Sequence, residues 1–568
     1  MDKIWNWRSL PDETKTLELS KALNINKNLS ALLLQRDIDS FETAKAFFRP
    51  KLDELHDPFL MKGMHNAVDR LCEAVFNKEK VLIYGDYDVD GTTSVALVYS
   101  FLGEFCEKDQ LQFYIPDRYA EGYGLSSKGV KWAADHGFQL IITLDCGIKA
   151  FETSELAHEL GIDLIICDHH LPATTLPRAL AILDPKQVDC AYPYKELSGC
   201  GVGFKLMQGF CHQNTIPEKE LFKYLDFVAI SIACDIVPIT GENRILAFYG
   251  LKKINQAAMP PIKALQEVSG LSGPLSISDL VFYLGPRINA AGRLSHAKKA
   301  VDLLIDHDEK LTKSSADTLN VINTERKRHD ESTTLEALEM IGEQPDFESL
   351  NTTVLFNENW HKGIVGIVAS RCIEKYYRPT IILTKSNGKI TGSARSVAGF
   401  DIYQAIESCS DLLEKFGGHH HAAGLSLTPE NLDLFKQKFE TVVSKSIAPE
   451  MLIPSMLVDL NVDLSFVNFK SHNIIRQMAP FGPANLNPVF STEKVKLSQE
   501  PRLLQDKHLK LQIQQGKKKM EGIGFNLGHL ADKLRTAPTF DIAYQVEENN
   551  YMGHKSLQLV LKDIRFHA

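Results

Sequence analysis

VLIYGDYDVDGTTSVALVYSFLGEF, residues 81–105, decides how this chain is read. A β-type apolar run (VLIY) stops at alternating carboxylates, Asp86, Asp88 and Asp90, and a stretch with helical spacing follows. The pattern then recurs. LQFYI (111–115) precedes a helix-like stretch after Gly124. LIITL (140–144) meets Asp145 and runs into IKAFETSELAHEL, which has helical spacing and closes at Gly161. LIIC (164–167) ends in Asp168, His169 and His170. Apolar strands alternating with amphipathic helices predict a parallel sheet covered on both faces.

The same reading extends outward. Residues 1–50 are mixed and mostly helical in pattern, a small N-terminal appendage. No Gly or Pro occurs from Arg293 through Ile341, which predicts a long helix, or two in series, joining domains. A second α/β unit follows, with TVLF (353–356), GIVGIVASRCIEKYY, PTIIL (379–383) and ITGSAR. Beyond IAPEMLIP the text turns to short strands and turns, such as SMLVDLNVDL, FDIAYQVEENNY and SLQLVLKDIRF, which predict a small all-β barrel. The expected fold is α/β: a parallel-sheet domain over 51–292, a linking helix over 293–345, a second α/β domain over 346–448 and a C-terminal barrel over 449–568.

Composition bounds the function. The 568 residues are too many for one core, and 44% apolar with 24% charged residues is the balance of a water-soluble globular protein. A net charge of −9 does not advertise a nucleic-acid binder. A local basic groove or bound divalent cations reverse the field where it matters. Ten scattered cysteines without a CxxC pair suggest neither a zinc site nor a disulfide framework. MDKIWNWRSL is no signal peptide, and the apolar stretch FVAISIAC (227–234) is too short to span a bilayer, so a cytoplasmic location is expected.

Four apolar runs each deliver an Asp: VLIY to Asp86, Asp88 and Asp90, LIITL to Asp145, LIIC to Asp168, and VAISIAC to Asp235. In parallel α/β sheets, ligands bind beyond the carboxyl ends of the strands. Carboxylates packed at one edge cannot all stay ionised without cations between them. Oxygen ligands with imidazole suit Mn²⁺ or Mg²⁺. Two such ions roughly 3.5–4 Å apart clamp an attacking water and a scissile phosphate oxygen. An EF-hand reading of DYDVDG fails, because its twelfth position is Leu97 and a strand-like run precedes it. Singly, a strand-end Asp is a turn former or helix cap, and an HH pair is a surface feature. Their recurrence carries the metal reading.

GDYDVDGTTS, ITLDCGI, CDHH, LSGCGVGFKL, SIACDIVPITGENR, LGPRINAAGRL, WHKGIVGIVASR, GSARS and FGGHHHAAG resemble, in order, the motif series of the DHH phosphoesterase superfamily and, within it, its bacterial single-strand exonucleases. The resemblance covers about residues 50–560. It implies a DHH catalytic domain, a linking helix, a DHHA1 domain and an OB-type domain. It implies 5′→3′ digestion of single-stranded DNA to mononucleotides, in DNA repair and recombination, with two Mn²⁺ or Mg²⁺ ions. By motif, Asp88, Asp90, Asp145, His169 and Asp235 would ligate metal, and Asp168 and His170 would complete the metal and phosphate shell. Asp86 is left outside that ligand set. A single-strand-binding protein and a RecQ-type helicase are the implied partners of a monomer, with no membrane.

A nuclease that starts at a terminus must hold the terminal phosphate, which calls for Arg forks and hydroxyl or backbone donors. The resemblance assigns this to Arg118, Arg293, Ser393 and Arg395, with His419 as the GGH histidine; His420 and His421 fall on variable positions. The C-terminal motif departs from the family pattern at PFGPANLNPVF (480–490), where Ala484 replaces a Gly and Asn485-Leu486 replaces Asn-Pro. KKK (517–519) is expected at a turn between strands, either solvated or against a DNA backbone. Two other functions share these motifs: a phosphodiesterase of short oligonucleotides or cyclic dinucleotides, and a non-catalytic DNA-binding scaffold. The long helix and barrel disfavour the first, and the filled ligand positions disfavour the second.

Overall fold

A computed structural model of the chain describes residues 3–344, 347–386, 388–551 and 553–567. The expected boundary between the linking helix and the second α/β domain, at 345/346, lies outside the described residues. The chain divides into two compact units. One is Phe41–Thr324 with Gln477–Asn487; the other is Met1–Ser40, Glu325–Arg476 and Pro488–Ala568.

The first unit is built on a wholly parallel five-stranded sheet in the order Leu111–Tyr114, Val81–Gly85, Leu140–Leu144, Asp163–Cys167, Ala181–Leu183. The two central strands are buried along their whole length, which explains their unbroken apolar text. Alternate residues serve different cores. Val81, Ile83, Leu140 and Ile142 pack into the larger cluster, with Val98, Phe204 and Val228 from the helices on that face. Leu82, Tyr84 and Ile141 pack the other way, with Val130 and Ala157. Each fully buried Val, Leu or Ile contributes about 1.5–3 kcal/mol, so both sheet faces hold their helices firmly.

One run was misjudged. VAISIAC is not a strand: Leu225–Cys234 is a helix, buried on every side from Leu225 to Ala233, and Asp235 stands at its C-terminal cap. A short apolar run buried all round has no polar face to reveal its period.

The helix Glu309–Gly342 runs through the division between the units and has 34 residues, roughly 50 Å of rise. Two shorter helices, Gly285–Leu294 and Lys298–Leu304, precede it.

The second unit carries two sheets of interest. A five-stranded mixed sheet has the order Lys415–His419, Ala422–Leu427, Lys389–Arg395, Thr380–Ser386, Thr353–Phe356, and only its last pair is parallel. A seven-stranded sheet from the C-terminal segment closes on itself through pairing of Phe490–Leu497 with His508–Gln515, as a barrel must to remove its edges. Gly516 and Lys517 turn between His508–Gln515 and Lys518–Gly524, where the KKK segment was expected. The N-terminal segment is mostly helical, but IWNW (4–7) is a strand paired with Ser455–Val458. Its buried Trp5 donates Nε1–H to Asp563 at 2.7 Å. Among the described residues no helix is long and apolar enough to cross a membrane.

Candidate metal centre

The site is assembled from the ends of elements in the first unit. Asp86 follows the Val81–Gly85 strand. Asp88 caps the helix Val89–Leu102 by accepting the Gly91 N–H at 3.0 Å, and Asp90 sits in its first turn. Gly91 is required there, since a Cβ would stand 2.5 Å from the Asp86 carbonyl oxygen. Asp145 follows the Leu140–Leu144 strand at φ +61°, in the left-handed region that Asp tolerates better than most residues. The Gly199 backbone approaches so closely that a Cβ would meet the Asp145 Cβ at 2.6 Å. Asp168 ends the Asp163–Cys167 strand and donates its N–H to the Leu183 carbonyl.

These ends converge. Three groups each offer ligand atoms within 4.8 Å of one another: Asp86, Asp88 and Asp145; Asp90, His169 and Asp235; Asp145, His169 and His170. Asp145 and His169 are shared between groups. His169 Nε2 lies 3.1 Å from Asp145 Oδ1, 3.5 Å from Asp235 Oδ2 and 3.7 Å from Asp90 Oδ2. The structure therefore brings together Asp88, Asp90, Asp145, His169 and Asp235. It adds Asp86, which that reading set aside. Asp86 is buried, and no hydrogen bond of good geometry reaches either carboxylate oxygen, the backbone at Tyr87 and Gly124 offering only weak support to its charge. A buried carboxylate with both oxygens orphaned is costly unless a cation completes it. Asp90 is held differently, accepting from the Gly199 and Cys200 N–H groups (2.6 and 2.8 Å) and the Ser231 hydroxyl (2.7 Å).

The electrostatics follow. Burial and then neighbouring carboxylates push Asp86, Asp145 and Asp235 well above the usual carboxylate range. Asp168 behaves oppositely. Burial alone would raise it, but the hydrogen bond from His170 Nδ1 (2.7 Å), His170's charge and the Ile148 N–H hold it at about 2. Against its own desolvation, His170 is raised by the same bond to about 9, so the imidazole is cationic at neutral pH.

The expected phosphate groups fall in two places. In the first unit, the Arg118 guanidinium lies 4.3 Å over the Tyr87 ring, within the DYDVDG loop. The Arg293 carbonyl accepts from the Tyr119 hydroxyl, and Gly292 packs so tightly on the Tyr87 carbonyl that a Cβ would stand at 2.8 Å. Both arginines thus border the acidic loop. In the second unit, Ser393 and Arg395 share a strand in which Arg395 pairs with Ala422, and Ala422 pairs in turn with His419. Arg395 Nη1 donates to Ser393 Oγ at 2.7 Å, and burial lowers its affinity for protons. Gly366 leaves the space, since a Cβ there would stand 2.9 Å from Arg395 Nη2.

Two residues were missed. Asp184 lies beside Asp168 at the end of the adjacent strand, with Oδ2 buried and unpartnered, and burial pushes it up to about 7. AILDP (181–185) was a legible signal, a fifth apolar run ending in Asp. Tyr123 donates its hydroxyl to the Asp145 carbonyl at 3.1 Å; no pattern marked it.

Parallel-sheet strand ends that gather acidic and imidazole groups, joined to a DHHA1-type second domain, define a DHH-class protein. Family models agree: DHH family, N-terminal domain, at residues 80–232; DHHA1 domain at 349–445; and RecJ OB domain at 458–563. The chain is 35% identical to the single-stranded-DNA-specific exonuclease RecJ of Bacillus subtilis, covering 97% of this chain and 70% of that one. It is 34% identical to the Escherichia coli protein of the same name, covering 89% and 90%. The crystal structure of Thermus thermophilus RecJ in complex with Mn²⁺ superimposes with a TM-score of 0.86 at 26% identity, covering 100% of this chain and 80% of that one. The same protein in complex with Mg²⁺ gives 0.79 at 25%, covering 100% and 79%. The chain belongs to the RecJ family.

Proposed function

We propose that this protein is a metal-dependent exonuclease specific for single-stranded DNA, which hydrolyses phosphodiesters from the 5′ end and releases mononucleotides in DNA repair and recombination. The observation that carries this reading is a pair of ligand groups, Asp86, Asp88 and Asp145 on one side and Asp90, His169 and Asp235 on the other, joined where His169 Nε2 lies 3.1 Å from Asp145 Oδ1. Asp88, Asp90, Asp145, His169 and Asp235 hold the metal, with Asp86 added on the strength of its orphaned oxygens. Two divalent cations, Mn²⁺ or Mg²⁺, supply when bound the Lewis acidity that activates water and offsets the charge leaving with the 3′ oxygen.

The chain's own residues do the rest. Asp145 and His169 link the two ligand groups and fix their spacing. Asp168 keeps His170 cationic, and His170 donates charge-assisted hydrogen bonds to the phosphate. Arg118 and Arg293 border the acidic loop and offset the charge of the strand's phosphates. Ser393, Arg395 and His419 have the chemistry for a terminal phosphate: a hydroxyl, a guanidinium fork and an imidazole. The closed C-terminal barrel supplies an OB-type surface for the strand. On the family resemblance we propose a cytoplasmic monomer, served by a single-strand-binding protein and a RecQ-type helicase that expose its substrate.

The test is digestion of end-labelled single-stranded and duplex DNA with Mn²⁺, Mg²⁺ or EDTA, by the wild type and by Asp88→Ala. Metal-dependent release of mononucleotides from the 5′-phosphorylated single strand alone, abolished in the variant, supports the reading. Near-normal activity of Asp88→Ala with Mn²⁺ contradicts it, and preference for a dinucleotide over a long strand moves the assignment to a short-oligonucleotide phosphodiesterase.

A further inference from the structure

Beside the metal centre, within the same unit, lies a cavity of about 560 Å³. Asp168 and His170 help to line it, so it is continuous with the cluster of acidic side chains. Gly147 and Ile148 are part of the lining, as are two aromatic residues, Tyr123 and Phe151, and an oppositely charged pair, Lys149 and Glu152. Those rings are conspicuous because they are not packed away: Tyr123 is 54% exposed and Phe151 39%.

Tyr123 is nonetheless held in place. Its hydroxyl donates to the Asp145 carbonyl at 3.1 Å and lies 3.4 Å from His170 Nε2. Its ring meets the rings of His170 and Tyr87 edge-on, at 6.1 and 6.0 Å between centroids. One end of the side chain is therefore tied to the metal-ligand loops, while its ring surface stays open. Phe151 has no polar atom to satisfy and presents only a ring. The cavity lies within the range of pockets that take small molecules, about 300–1,000 Å³. That is room for a nucleoside and too little for a folded partner.

We infer that this cavity is a base-stacking subsite, taking the base of one nucleotide that flanks the phosphodiester held at the metal centre, with Tyr123 and Phe151 as its ring surfaces. The inference rests on the reading of the chain as a nuclease, and it adds what that reading lacks, a means of gripping the nucleotide rather than its phosphate. Stacking suits an enzyme that removes nucleotides regardless of sequence, because every base offers a π-face. Lys149 and Glu152 are both exposed in the lining and offset one another, so the grip falls to the rings rather than to charge.

The experiment uses the full chain with Mn²⁺ and 5′-phosphorylated single strands that carry an abasic tetrahydrofuran nucleotide at the first, second or third position. Phe151→Ala should lower kcat/KM on the unmodified strand about ten-fold, the scale of one lost base–aromatic stack. The wild type should suffer a similar loss at one abasic position, and at that position Phe151→Ala should lose nothing more. Phe151→Tyr, which keeps the ring, should restore the wild-type rate. Losses that multiply at every abasic position overturn the subsite, as does Phe151→Ala digesting the unmodified strand at the wild-type rate, or Phe151→Tyr failing to restore it. A wild-type chain that leaves the unmodified strand intact with Mn²⁺ takes down the nuclease reading and the subsite together.

Discussion

The two α/β units use their sheets in opposite ways. In the parallel sheet, chemistry sits beyond the strand ends: Asp86, Asp145, Asp168 and His169 all follow a buried strand by one or two residues. In the mixed sheet, Ser393, Arg395 and His419 lie within strands, neighbours across the ladder rather than along the edge. The first place gathers negative charge and removes it from water, so Asp86, Asp145 and Asp235 resist ionisation. The second half-buries a guanidinium, and that desolvation makes Arg395 part with its proton more readily. Each place carries a surplus of one sign that a partner of the other sign relieves: cations for the first, phosphate for the second. Desolvated charge of one sign is expensive to leave uncompensated, which is why it signals a ligand.

The largest effect that separates the two places is catalytic. Asp145→Asn removes the carboxylate shared by two ligand groups and should cost about 10³-fold or more in kcat, the several kcal/mol that metal charge stabilisation contributes. Arg395→Ala should behave differently. It should lower kcat/KM about 10- to 100-fold on strands with a 5′ phosphate, the weight of hydrogen bonds to a charged group, and leave strands with a 5′ hydroxyl unaffected. Equal losses on both ends would erase the distinction drawn between a chemical and an end-holding role.

Next in size is a stability effect that should change sign with metal. The folded pKa values of Asp86, Asp145 and Asp235 are raised, so without metal the folded state binds more protons than the unfolded one. Stability of the metal-free protein should then fall as pH rises above the ordinary carboxylate range. Asp86→Asn should raise the melting temperature of the metal-free protein, by about 1–3 kcal/mol of stability, and lower it when Mn²⁺ is present. Thermal denaturation from roughly pH 5 to 8, with Mn²⁺ or EDTA, reads both signs. A variant less stable in both conditions would show Asp86 to be a packing residue.

The smallest effect concerns the Asp168–His170 pair. His170 is raised to about 9, so its contribution is fully present below its unfolded pKa, near 6.5, and is lost as pH rises through about 9. Asp168 is lowered to about 2, so its contribution is present above its unfolded value and is lost as pH falls through about 2. His170→Ala should therefore cost about 1 kcal/mol, the scale of a partly exposed ion pair, near pH 6, and progressively less toward pH 9 and above. A loss that does not vary with pH would mean that His170 acts by packing alone.

Much of this was legible because burial on both faces writes itself plainly: VLIY, LIITL and LIIC are short apolar runs set between helical stretches, the pattern of interior strands, and each stopped near a polar group. The text failed where one pattern fits two structures. VAISIAC, buried all round, reads equally as strand or helix, yet Asp235 reaches the centre from a helix end. IWNW was hidden because its partner, Ser455–Val458, lies far away in sequence. Asp86 was set aside because a motif shows which residues recur, whereas orphaned oxygens appear only once the chain has folded. Tyr123 acts through a hydroxyl aimed at a backbone carbonyl, a contact with no sequence signature.

Catalysis requires that the acidic and imidazole ends form one centre for two cations. Equilibrium dialysis of the chain against Mn²⁺, with the wild type beside Asp145→Asn, tests this directly. Two tightly bound ions per chain in the wild type, and loss of at least one in the variant, is the predicted result. No tight Mn²⁺ in the wild type, or a stoichiometry that Asp145→Asn leaves unchanged, would contradict it.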